Sequence, residues 1–83
     1  MIDEDDESFQ SAVAAVQKEI NKLPEKCKAI FILSKKEGLT NAEIAEHLNI
    51  SIKTVEAQIT KAFTILRAIF KDKLAHILFT LFR

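Results

Sequence analysis

Apolar residues recur along this chain at a helical period. Phe9, Val13, Val16, Ile20 and Leu23 are spaced for one buried stripe, with Ala12 and Ala15 beside it. That spacing predicts a first helix from Ser8, ended by Pro24, a residue that also serves as the first position of a following helix. A second helix is expected from about Pro24 to Glu37. It turns Cys27, Ile30, Phe31 and Ser34 inward, with Leu33 at the edge and Lys26, Lys28, Lys35 and Lys36 mostly outside. Gly38, the one glycine of the chain, falls where a helix C-terminus wants a left-handed residue.

The pattern then tightens. Thr40-Asn41-Ala42-Glu43 has capping-box spacing, a hydroxyl at the cap and a carboxylate three residues on. Ile44, Ala45 and Leu48 form the inner face of a short third helix, and the small Ala45 lets a neighbouring helix come close. Asn49 sits at the turn, where its side chain tolerates a left-handed backbone. Ser51 is placed to cap a fourth helix. Two helices joined by the four residues Leu48-Asn49-Ile50-Ser51 predict a helix-turn-helix, which can hold its second helix outward for a DNA groove. In the fourth helix the inner stripe is Ile52, Val55, Ile59, Ala62 and Leu66, with Phe63 and Phe70 flanking. The opposite face carries Lys53, Ala57, Thr60, Lys61 and Thr64, with Glu56 and Arg67 on one shoulder and Thr54 and Gln58 on the other. An ordinary solvated face carries more Glu–Lys pairs, so this one reads as a contact surface.

The last segment, "IFKDKLAHILFTLFR", is apolar at helical spacing through Leu74, Ile77, Leu78, Leu81 and Phe82, with Phe79 on another side. Continued from Ile52 to Arg83, the fourth helix would be about 48 Å long, more than three short helices can cover. Either the chain breaks near Lys71-Asp72, with Asp72 capping a fifth helix that folds back, or the tail protrudes and pairs with a partner or a second copy through residues 71–83. The expected fold is all-α: a small helical bundle with a helix-turn-helix and an apolar C-terminal helical extension. The expected organisation is an acidic leader or linker remnant at 1–7, a domain at 8–70 and the tail at 71–83.

Composition narrows the function classes. Eighty-three residues make one small domain, which buries roughly 60% of its unfolded surface. The formal net charge of zero conceals an uneven distribution. Five of the first seven residues are acidic, so residues 8–83 hold 12 basic and seven acidic residues, a net +5 suited to a weak phosphate-binding surface. Tyr and Trp are absent, which leaves little for stacking single-stranded bases. The single Cys27 excludes an internal disulfide and a cysteine-rich zinc site, and reads as a small buried hydrophobe in a reducing, cytoplasmic setting. The tail, interrupted by Lys71, Asp72 and Lys73, is too short for a membrane span, and the acidic start is unlike a signal peptide. His47 and His76 are not spaced as a metal pair. No nucleophile–base pair, phosphate loop or carboxylate cleft appears, so neither catalysis nor a cofactor is expected.

One ordered set of residues resembles a known family. Leu23-Pro24, Phe31-Ile32-Leu33, Glu37-Gly38-Leu39, Glu43-Ile44-Ala45-Glu46, Leu48-Asn49-Ile50-Ser51, Thr54-Val55 and Leu66-Arg67 resemble region 4 of sigma-70 family RNA polymerase sigma factors, nearest to the extracytoplasmic-function group. The resemblance covers roughly residues 8–70. It implies a DNA-binding transcription initiation domain that reads the −35 promoter element and docks on the polymerase β flap, with an anti-sigma factor as a further partner. By matching position it implies base contacts at Glu56, Ala57, Thr60 and Lys61. Side-chain chemistry agrees for most of these: Lys61 can donate to guanine, Glu56 can accept from cytosine and Ala57 can lie against a thymine methyl. For Glu56 the alternative is a shoulder charge that discourages non-specific binding. Thr40, Ser51, Lys53, Thr54 and Gln58 are better placed for phosphates.

The sequence departs from the family in three respects. No segment corresponds to region 2, so a domain fragment or a stand-alone protein is expected. The recognition helix is poor in arginine. The apolar tail is longer than the domain requires. Two rivals stay open: a LuxR-type response-regulator DNA-binding domain, whose helix-turn-helix has nearly the same pattern, and a sigma-like protein-interaction module that binds only polymerase or an anti-sigma factor.

Overall fold

The computed structural model describes residues 7–82, and of Glu7 the backbone alone. Five α-helices follow one another: α1 (Glu7–Asn21), α2 (Glu25–Lys35), α3 (Asn41–Leu48), α4 (Ile52–Phe70) and α5 (Leu74–Leu81). A single 3-10 turn, Lys71–Lys73, joins the last two. The fold is all-α among the described residues, as the periodicity predicts. The acidic leader expected at 1–7 falls outside them except for Glu7, which opens α1 one residue before the expected start.

Most of the local signals act as their chemistry requires. Pro24 stands just ahead of α2 as its N-cap rather than inside it. The helix ends at Lys35, two residues short of the expected Glu37. There Gly38 enters the left-handed region at φ +72°, and the Glu37 and Leu39 N–H groups turn back onto the carbonyls of Ile32 and Leu33. At α3 both halves of the capping box form: Thr40 N–H donates to Glu43 Oε1 at 2.8 Å, and Glu43 N–H donates to Thr40 Oγ1 at 3.1 Å. Asn49 is left-handed at φ 56°, ψ 49°, and its N–H closes onto Ala45 and Glu46 carbonyls. Ser51 caps α4.

The core has two parts. The larger gathers Phe9, Val16 and Ile20 of α1, Leu23, Cys27 and Phe31 around α2, Ala62 and Leu66 of α4, and Leu74, Ile77 and Leu78 of α5. The smaller, made of Ile30, Ile44, Ala45 and Val55, joins α2, α3 and the first half of α4. Helix α4 is thus held at one end by the helix-turn-helix core and at the other by the main core. Ala62 and Cys27 are both fully buried, and the Cys27 thiol lies 3.4 Å from the Gln58 carbonyl, so small residues bring α2 and α4 together.

Of the two courses open to the tail, the chain takes the first: it breaks at Lys71 and α5 folds back against α1 and α4. Asp72 does not cap α5, however. The cap position is Lys73, with no side-chain bond, because a 3-10 turn carries the backbone into the helix. Several inner-face expectations also change. Val13, Ser34, Ile59, Leu81 and Phe82 are only half-buried. Leu48 and Ile52 are 36% and 47% exposed, because they flank the turn outside the smaller core. No helix among the described residues is long and apolar enough to cross a membrane.

Candidate nucleic-acid interface

The outward face of α4 follows from the helical turn. At 100° per residue, Lys53, Ala57, Thr60 and Thr64 lie within about 40° of the line opposite Val55, with Lys61 to one side and Glu56 and Arg67 to the other. Buried Val55, Ala62 and Leu66 fix that orientation. All seven outward residues are exposed, and together they make a continuous polar strip along the helix. Glu56, Ala57, Thr60 and Lys61, the four expected base contacts, share this strip. Burial pushes the Cys27 thiol above its ordinary value, and the charge of Lys61 opposes that shift. Glu56 has no ion-pair partner among the described residues, so its carboxylate is open to solvent.

The expected phosphate contacts divide into two groups. At the start of α4, Ser51 Oγ accepts from the Thr54 N–H at 3.0 Å, and the two hydroxyls share a bond of 2.9 Å. That pair has two hydroxyl protons and uses one between them, which leaves the second for an outside acceptor. The N–H groups of Ile52 and Lys53 precede the helix's own hydrogen-bond ladder and add the positive end of its dipole. Lys53 is exposed there, while Thr54 and Gln58 are half-buried. Thr40 is placed differently. Its N–H, and then its hydroxyl, hold the Glu43 carboxyl below its ordinary value. A phosphate approaching Thr40 therefore meets a carboxylate first.

A capped turn followed by a helix with an exposed polar strip is the geometry of a helix-turn-helix reader. The model of the family described as "Sigma-70, region 4" matches residues 14–66. The chain belongs to the sigma-70 region 4 family. No curated protein and no solved structure matches it. Region 4 is a DNA-binding, promoter-recognising domain of transcription initiation rather than an enzyme family, so of the two helix-turn-helix resemblances the sigma one holds. The match runs from within α1 to Leu66 near the end of α4, and so takes in the whole helix-turn-helix.

Thr64 and Arg67, on the outward face that the sequence predicts but outside its expected contacts, extend the strip of this region 4 domain beyond Lys61. Residue patterns alone left one feature aside. A surface groove of about 680 Å3 runs beside α2, lined by Ala29, Ile32, Leu33 and Leu39 and rimmed by Glu25, Lys28, Glu37 and His47. The signal for it is the run Ala29–Leu33: five consecutive apolar residues go round more than one helix face, so some of them must look outward. No residue of α4 lines the groove.

Proposed function

We propose that this domain reads the −35 element of a promoter by laying α4 in the major groove, while the apolar groove beside α2 receives a helix of the polymerase β flap. Glu56, Ala57, Thr60 and Lys61 contact base edges. Ser51, Lys53, Thr54 and Gln58 contact phosphates, and Thr40, with Glu43 beside it, contributes least. The observation that carries this reading is the exposed strip on α4, held at both ends by buried residues, within a region 4 sequence. In this reading residues 8–70 are the sigma-like domain of an extracytoplasmic-function type factor acting in the cytoplasm, preceded by a leader and followed by an apolar tail. An anti-sigma factor would compete for the groove.

The test is binding to promoter-containing duplexes against scrambled ones at two salt concentrations. Selective binding that Lys61→Ala abolishes, and that Lys53→Ala weakens equally on every sequence, supports the assignment. Loss of selectivity with neither substitution argues against it.

One observation favours a second reading. The strip carries only Lys53, Lys61 and Arg67 as cations, against Glu56. A domain used solely for protein contact would keep the groove and bind duplexes weakly. Capture of the polymerase flap without duplex affinity at low salt would select that reading.

A further inference from the structure

Helix α5 is folded back at a joint that holds neither glycine nor proline. Lys71 takes φ 55°, ψ −138°, the mirror image of the extended region, which glycine enters freely and an L side chain enters only at a cost. Lysine is a good helix former, and nothing in Lys71–Lys73 calls for a break apart from the packing of α5. That packing is extensive: Leu74, Ile77 and Leu78 are 3%, 1% and 9% exposed and join Phe9 and Val16 in the main core.

Straightened at Lys71, α4 and α5 would run as one helix from Ile52 to Leu81, about 45 Å long. Straightening relaxes the Lys71 backbone but strips Leu74, Ile77 and Leu78 of their cover and opens Phe9 and Val16 to water. One chain alone therefore stays closed. Two straightened chains regain everything, because the α5 of each fits the site that the other has vacated. Contacts inside and between chains are then the same, and the hinge decides the balance. A short hinge under backbone strain is the condition that favours exchange.

We propose that this chain forms a domain-swapped dimer by exchanging α5 about Lys71, a second copy of the chain being the occupant of the site that α5 leaves. The proposal rests on the core and the hinge, not on DNA binding.

Light scattering across a concentration series of the full chain tests it, with circular dichroism to show that each variant is folded. A doubled mass is expected at high concentration. Lys71→Gly, which removes the strain of the closed form, is expected to raise the dimer dissociation constant at least about tenfold. Phe79→Glu is expected to leave it unchanged, since Phe79 is 68% exposed and lies outside the exchanged contacts. The opposite pattern, a dimer lost with Phe79→Glu and kept with Lys71→Gly, would overturn the swap in favour of face-to-face apolar packing. A monomer at every concentration, both for the natural chain and for a Lys71→Ala, Asp72→Ala variant that strengthens the straight helix, would overturn it outright.

Discussion

At Thr40 one side chain and one backbone group are satisfied by the same neighbour, Glu43, and the start of α3 depends on both bonds. Thr40→Ala removes the cap and is expected to lower unfolding stability by about 1 kcal/mol, read from the urea midpoint. Glu43 adds a dependence on pH. Its carboxyl is held below the ordinary value by the Thr40 N–H and hydroxyl, so the folded state binds a proton there less readily than the unfolded chain. Stability from this site is therefore present above the unfolded-state pKa and lost as pH falls through the lower, folded one. Glu43→Gln keeps the shape of the cap and removes the titration. The natural chain should exceed this variant in stability at neutral pH, and the difference should vanish in acid. A difference that persists below the carboxylate range would mean that Glu43 acts by packing rather than charge. The same residue scale separates the two readings of Glu56. As a base contact, Glu56→Gln would change sequence preference. As a shoulder charge, it would raise affinity for all duplexes alike.

At the scale of elements, the stops and starts were legible because each rests on local chemistry. Gly38 illustrates this. A Cβ added there meets nothing within 4 Å, so the cost of replacement comes from the backbone alone. Gly38→Ala should cost about 1–2 kcal/mol and Gly38→Asn distinctly less, because asparagine tolerates the left-handed region. Equal losses for the two, measured by thermal unfolding, would point instead to a missing contact. Ile44 tests the smaller core. It is fully buried with Ile30, Ala45 and Val55, and Ile44→Ala should cost about 2–5 kcal/mol while loosening the seat of α4. What resisted reading was tertiary in origin. Ile52 and Leu48 have the period of core residues, yet they flank a turn that no other helix covers. The break at Lys71 carries no breaker residue, because it is imposed by α5 packing on α1. The groove beside α2 needs α2 and the loop after it in place before its walls exist. The α4 strip, by contrast, was readable in full: its orientation depends only on which residues of one helix are apolar.

Over the whole molecule, charge and architecture make one quantitative demand on the proposed function. Residues 8–83 carry a net +5, but the basic residues are spread over several helices, and the α4 strip offers only Lys53, Lys61 and Arg67. A duplex docked on that strip can have few phosphates neutralised by side-chain charge. Each neutralised phosphate contributes about −0.9 to the slope of log affinity against log salt, so two to three contacts give a slope of roughly −2 to −3. That is a shallow dependence and a weak non-specific grip, which leaves an outsized share of discrimination to the base contacts. It also suits the proposed docking of polymerase in the separate apolar groove as a second point of attachment, since two weak attachments on one domain combine without either being strong. Titrations of duplex binding from low to moderate salt should therefore give a shallow line for the natural chain. Lys53→Ala should flatten it by nearly one unit while leaving sequence preference intact. A steep slope that survives Lys53→Ala and Arg67→Ala would move the phosphate contacts away from α4, to the lysines of α2. With them the DNA would move to a different face of the bundle.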